Sequence, residues 1–237
     1  MKGSVVNGRD APPRARSASG GASFEGLDRD ALLKVYRCMF LSRKLDDKEI
    51  QLKNQSKLHF QISGAGHEAI QIAAGISLRA GYDWFFPYYR DRALCLQLGV
   101  TPLAMLLAGV GSSADPSSAG RQMPSHWGDR ALNIVSGSSP TGTQVLHGVG
   151  SGDASSIYSR VRQIEDRARC FHDDEVSFTS LGDGATSEGE FWEAINWACL
   201  RKLPVLFLIE DNGYAISMPV EFQTPGGDIS RLVRSFP

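Results

Sequence analysis

Asp183 lies in a Gly182-Asp183-Gly184 turn, and Asn212 lies in an Asp211-Asn212-Gly213-Tyr214 turn about thirty residues further on. A carboxylate, an amide carbonyl and the backbone carbonyl of Tyr214 are hard oxygen donors. Mg²⁺ takes near-octahedral oxygen ligands, commonly one or two carboxylates completed by phosphate oxygens and water. The glycines let a ligand approach the backbone with no Cβ in the way. A helix predicted to open near Ser187 would aim free N–H groups and partial positive charge at the same place, which suits a phosphate. Together these residue types can hold a magnesium diphosphate. The plain alternative is two βα turns in which Gly, Asp and Asn only satisfy turn geometry.

Two more residues could do chemistry. Arg90, after Tyr88-Tyr89, has a guanidinium fork that fits phosphate oxygens at two points, although such an Arg is more often a surface ion-pair residue. His126 sits in "GRQMPSHWG", inside a stretch from Gly111 to Asn133 with no clear periodicity. A loop of that length in a compact domain is usually functional or disordered. His126 could move a proton or merely cap a backbone carbonyl. "SSPTGTQ", Ser138–Gln144, taken alone is a helix start.

The elements that must position these residues alternate. Leu27–Asn54 carries Leu27, Ala31, Leu32, Val35, Met39 and Leu45 at helical spacing, in one helix or two, with Asp28 as a cap. A second helix is predicted over His67–Arg79, after the Gly64-Ala65-Gly66 break. "DWFFPYYR" reads as a strand entering a loop, and Thr101-Pro102 as a helix start. Ala131–Val135 is a short strand candidate, and Gly148–Arg169 is helical in its later part. Glu175–Leu181 reads as a strand, Ser187–Lys202 as a helix and Pro204–Ile209 as a buried strand. Strands alternating with helices predict an α/β fold with a layered parallel sheet flanked by helices. The turns at Asp183 and Asn212 then leave two parallel strands at one carboxyl edge, where open α/β sheets bind ligands.

With 25 Lys+Arg against 26 Asp+Glu, the chain has no electrostatic case for nucleic acid or a membrane surface. Its longest apolar run, around Val205–Ile209, is far short of the roughly 20 residues that a bilayer needs. Cys38, Cys95, Cys170 and Cys199 are scattered and read as reduced thiols, which predicts a cytoplasmic protein, or a mitochondrial-matrix one in a eukaryote. Residues 1–23 read as a disordered tail, and 24–237 as one domain.

The linked words "FFPYYRD", "GRQMPSHWG", "SSPTGTQ", "GDGATSEGEFWEAIN" and "DNGYAIS" resemble the α subunit of the E1 component of 2-oxo acid dehydrogenases, nearer to the branched-chain type because of "RQMP" and "SSP". The resemblance implies the thiamine diphosphate-binding fold, in its diphosphate-binding half. It implies Mg²⁺ held by Asp183, Asn212 and the carbonyl of Tyr214 against the diphosphate. Gly184 and Ala185 would present backbone N–H groups, and Tyr89 and Arg90 would reach the cofactor. Ser139 and the Thr141 backbone would lie near its aminopyrimidine. Ser138, Thr143 and Gln144 match side-chain ligands of a structural K⁺, and His126 would lie near the reacting carbon. The implied reaction is oxidative decarboxylation of a small 2-oxo acid, with the thiazolium ring as electron sink. The acyl group would pass to a lipoyl-bearing E2 acyltransferase. The implied partner is an E1 β subunit, or a fused β region, in a heterotetramer.

Three features depart from the pattern. Glu210-Asp211 stands where some relatives carry an Arg, which would remove a cation near the diphosphate and add negative charge. The Gly150–Asp174 segment is long for its place. The family continues well beyond "RLVRSFP", which predicts a fragment or the first part of a fused polypeptide. Another thiamine enzyme such as an acetoin dehydrogenase, or a truncated non-catalytic fragment, stand as alternative readings.

Overall fold

The computed structural model describes residues 24–161 and 171–237. The expected tail at 1–23, Cys170 and the end of the helix expected over Gly148–Arg169 lie outside the described residues. The chain divides into a unit ending at Lys34 and a unit from Val35 to Pro237. In the first unit Asp28 caps the opening turn of helix α1 (Arg29–Asn54), its Oδ1 accepting from the Ala31 N–H at 2.8 Å. All the buried residues of α1 belong to the second unit.

In that unit, helix α2 spans Glu68–Ser77, strand β1 Trp84–Phe86, α3 Arg92–Leu98, α4 Pro102–Gly109 and α5 Thr143–Arg160. Strand β2 (Ser177–Gly182), helix α6 (Gly189–Arg201) and strand β3 (Val205–Glu210) follow. A two-stranded hairpin of β4 (Tyr214–Ala215) and β5 (Met218–Pro219) precedes the short helix α7 (Ile229–Leu232). Among the described residues, β1, β2 and β3 form one parallel sheet in that order, with Gly182 opposite Glu210 at its carboxyl edge.

Strand side chains alternate between the two faces of a sheet. Phe178 of β2 and Leu208 of β3 join a core with Phe85, Leu94, Leu98, Met105 and Trp127 on one face. Leu181, Phe207 and Ile209 join Val145 and Val149 of α5 and Phe191, Ala194 and Ala198 of α6 on the other. The spacing of those α6 residues puts them on one helical stripe. Thr101 caps α4, its Oγ1 accepting from the Ala104 N–H at 3.2 Å, with Pro102 at the first helical position.

Five expectations are corrected. α1 is one helix, and its buried stripe is Ser42, Leu45, Asp46 and Glu49 rather than an apolar face. A helix not foreseen, α3, follows Asp91 directly. Ala131–Val135 is no strand: Ile134 makes only isolated bridges, one of them parallel to Phe85. The helix expected at Ser187 starts at Gly189, after a 3₁₀ turn over Asp183–Ser187. β3 is an edge strand, with Leu206 42% exposed, because nothing among the described residues pairs with its outer side.

Candidate functional site

The two turns at the carboxyl edge meet. Asp183 is 1% exposed, and its Oδ1 accepts from the Asn212 N–H at 3.3 Å. The Asn212 Oδ1 accepts from the Tyr214 N–H at 3.0 Å, which shapes the second turn and leaves that oxygen one lone pair. The other Asp183 oxygen, Oδ2, is buried without any partner. Burial holds the carboxyl above its ordinary pKa, and the neighbouring Asp211 adds to the rise. An unpaired buried carboxylate oxygen is costly unless a ligand completes it. Gly184 allows the approach of the next loop, since a Cβ there would stand 2.6 Å from the Ala215 Cβ.

A cavity of ≈ 280 Å³ opens over this pair. Of the residues named from the sequence, Tyr89, Arg90, His126, Ser138, Ser139, Thr141, Gln144, Asp183, Gly184, Ala185, Asn212 and Tyr214 line it, and Thr143 does not. A larger cavity of ≈ 790 Å³ meets the first at Ser125 and His126, but neither oxygen turn reaches it. Among the described residues no three His, Cys, Asp or Glu side chains cluster around a point. A cation at Asp183 and Asn212 would therefore need oxygens from a ligand, as a magnesium diphosphate supplies. The donor set and the orphaned Oδ2 fit that group.

Arg90 enters from the loop after β1. Its Nη1 donates to the Ser63 carbonyl at 2.7 Å, and its guanidinium lies 5.4 Å from the centre of the Tyr89 ring. Its Nε is buried with no partner, and among the described residues no carboxylate pairs with it. A surface ion pair therefore does not account for it. The His126 Nδ1 stands 3.1 Å from the Pro124 carbonyl, which can only accept, so Nδ1 carries a hydrogen. The ring Nε2 stands 2.9 Å from the Ser139 hydroxyl, within hydrogen-bond distance. Gln144 is tied down by its amide donating to the Ser180 carbonyl at 3.0 Å. Two lining residues, Ser125 at φ 62° and Ile216 at φ 58°, hold left-handed backbone. For a β-branched residue this is an outlier of a kind that gathers at functional sites.

Beneath the cavity lies a polar network that sequence reasoning missed. Asp91 and Glu210 are buried as neighbours: desolvation raises both carboxyls above their ordinary range, and Asp91 Oδ1 and Glu210 Oε2 are left without a hydrogen-bond partner. Asp91 also accepts from the Ser180 hydroxyl and from the Tyr88 N–H. Glu210 Oε1 accepts from the Gln71 amide at 2.8 Å. His67, whose Nδ1 is 3.9 Å from Glu210 Oε2, is held below its ordinary pKa first by burial and then by Arg90. Burial, then the charge of Asp91, pushes Glu210 far above the carboxylate range. Glu210, expected to add negative charge beside the diphosphate, does not line the cavity, and burial beside Asp91 favours its neutral form.

The pH dependence follows. A group whose folded pKa is raised contributes stability below its unfolded pKa and loses it as pH rises toward the folded one. Glu210→Gln keeps the amide contacts without that loss. In metal-free buffer the variant should be more stable than the parent at about pH 8, with the gap shrinking toward about pH 5 as the parent regains up to ~1.4 kcal/mol per pH unit. Urea midpoints at the two pH values measure it. A parent that is the more stable at both would show that Glu210 is ionised.

Residues 36–236 match the family described as Dehydrogenase E1 component. The chain is 38% identical over 205 residues to the 2-oxoisovalerate dehydrogenase subunit alpha of Bacillus subtilis, covering 86% of this chain and 58% of that protein. It is 33% identical over 206 residues to the 3-methyl-2-oxobutanoate dehydrogenase subunit alpha of Mycobacterium tuberculosis, covering 86% and 49%. Against the mitochondrial 2-oxoisovalerate dehydrogenase subunit alpha 2 of Arabidopsis thaliana it is 31% identical over 202 residues, covering 85% and 40%. The chain thus spans about half the length of the curated relatives it matches. The match runs through β1, the long loop and both oxygen-bearing turns, and by it the chain belongs to the dehydrogenase E1 component family.

Proposed function

We propose that this chain is α-subunit sequence of a branched-chain 2-oxo acid dehydrogenase E1, and that it holds thiamine diphosphate with Mg²⁺ for the oxidative decarboxylation of a branched-chain 2-oxo acid. The observation that carries the reading is the buried, unpartnered Asp183 Oδ2 beside Asn212, in a cavity that Arg90 also lines. The names of the relatives support the substrate class.

Asp183, Asn212 and the Tyr214 carbonyl would hold the metal. Arg90, with Tyr89, would meet the diphosphate, alongside the Gly184 and Ala185 N–H groups. Ser139 and Thr141 would stand at the aminopyrimidine side. Ser138 and Gln144, with Thr143, would serve a K⁺ site. When bound, the cofactor supplies the electron sink for loss of CO₂. The chain's own residues would grip its charged end, and the hydrogen bond with Ser139 would orient His126 Nε2 at the cavity wall. An E1 β subunit would complete the enzyme, and a lipoyl-bearing E2 would accept the acyl group. No helix among the described residues is long and apolar enough to cross a membrane.

The test is calorimetric binding of thiamine diphosphate with Mg²⁺, followed by CO₂ release from 3-methyl-2-oxobutanoate in the presence of a β subunit. No binding in either setting would overturn the reading. Within it, Arg90→Lys should raise the cofactor Kd by about tenfold or more, ~1.4 kcal/mol, because Lys keeps the charge and loses the planar fork. A Kd within about twofold of the parent, under ~0.5 kcal/mol, would show that Arg90 does not grip phosphate at two points.

A further inference from the structure

Gln71, on α2, is fully buried and touches neither turn that bears the metal donors, yet it joins the two sides of the site. Its Nε2 donates to the Arg90 carbonyl at 3.0 Å and to Glu210 Oε1 at 2.8 Å. Its Oε1 accepts from the Ala93 N–H at 3.0 Å. Both amide hydrogens are therefore used, one on each side. The first side is the loop that delivers Arg90. The second is the end of β3, two residues before Asn212.

The Arg90 carbonyl is also closed in by Gly64, where a Cβ would stand 2.5 Å from that oxygen. Gly64 is itself placed by its N–H donating to Asp46 Oδ2 at 3.1 Å, and Ser63 takes the far end of Arg90 through its carbonyl. The Arg90 carbonyl also accepts from the Arg92 N–H at 2.7 Å, and among the described residues Gln71 is the hydrogen-bond partner that ties it across to β3.

Resting on the proposed magnesium diphosphate site, we infer that Gln71 is a positioning residue: its amide sets the spacing between Arg90 and the Asn212 turn, and so the span across which the diphosphate and its metal are gripped. A packing residue alone would not need two donors aimed at opposite sides. Residues that orient ligating groups typically change metal affinity or activity by about 10–100-fold when replaced.

The experiment measures the Kd of thiamine diphosphate at saturating Mg²⁺ and the Mg²⁺ half-saturation at saturating cofactor, for the parent, Gln71→Leu and Gln71→Glu. Leu removes all three contacts. Glu is isosteric and keeps the acceptor for Ala93 while losing the amide donors, so it tests the tie should the Leu variant fail to fold. Both values should rise by about 10–100-fold, in variants whose unliganded circular dichroism matches the parent. The Arg90→Lys/Gln71→Glu double variant should bind more tightly than the two single losses multiplied together predict, since both act on one contact. Multiplicative losses, or cofactor and Mg²⁺ values within about twofold of the parent (under ~0.5 kcal/mol), would overturn the inference and leave Gln71 a core residue. Failure of the parent to bind would instead overturn the functional reading, and the inference with it.

Discussion

Asp183→Asn is expected to weaken magnesium-dependent thiamine diphosphate binding by about 30-fold or more, while the unliganded protein stays at least as stable as the parent. One oxygen is responsible for both effects. Asp183 Oδ1 already has the Asn212 N–H, whereas Oδ2 is buried with nothing to bond. A hard cation bridging phosphates would complete it. Removing one member of a desolvated charge contact typically costs ~2–5 kcal/mol, and the lower figure is about 30-fold in Kd. Asn preserves the shape, and its carbonyl can still accept from Asn212. Without ligand the sign reverses. Burial raises the Asp183 pKa, so its contribution to stability is present below the unfolded value and lost as pH rises through the folded one. At neutral pH the neutral amide avoids that loss. Calorimetry reads the binding and a melt in chelator reads the fold. Equal cofactor affinity would remove Asp183 from the metal site. A lower unliganded melting temperature would show that the carboxylate serves the fold instead.

Arg92→Leu should cost about 3–5 kcal/mol of folding stability, because it leaves buried carboxylates without their cation. Arg92 is 1% exposed, and its two terminal nitrogens hold both Glu49 oxygens at 2.8 and 2.5 Å. Its Nε stands 3.2 Å from Asp46, close enough for charge attraction but not aligned as a hydrogen bond. Glu49 and Asp46 lie on the buried stripe of α1, with Leu45 as its one apolar member. Burial already lifts the Glu49 pKa despite the pull of Arg92, and losing the guanidinium lifts it further. A raised folded pKa gives stability below the unfolded value, about 4.3 for Glu, and loses it as pH rises. The deficit of the variant should therefore be largest at about pH 8 and smaller near about pH 5. Adding Glu49→Leu should recover part of it, since an apolar pair can replace a buried ion pair at little cost. Urea titrations at both pH values test this. A loss under ~1 kcal/mol, the scale of an exposed pair, or a deficit independent of pH, would show that the cluster carries little stability. Asp46 also accepts from the Ser63 hydroxyl and the Gly64 N–H, at 2.7 and 3.1 Å, so the same cluster braces the loop behind Arg90.

The local signals in this chain were strong where one segment decides its own structure. Partial alternation at Val176 and Phe178 pointed to β2, and Thr101-Pro102 placed the start of α4. The strand-helix-strand order was enough to bring Asp183 and Asn212 to one edge, because parallel neighbours share their direction. Turn residues are also local, so the Asp-Gly and Asn-Gly words named the two turns that meet at the cavity. The misses share a cause. Buried polar residues on α1 read as a weak apolar face because their partner, Arg92, is more than forty positions away in sequence. Glu210 read as an unwanted charge because Gln71, which bonds it, and Asp91, whose charge beside it favours the neutral form, come from a helix and a loop far upstream. Thus the linked motif words pointed to the family, and the order of elements to the α/β layers and to the meeting of the two turns. Only the tertiary structure decided which carboxyls are buried and shifted, which oxygen of Asp183 is left over, and how Gln71 joins Arg90 to β3. Charge state and polar satisfaction depend on desolvation and on neighbours that chain folding brings together, and no linear spacing records them.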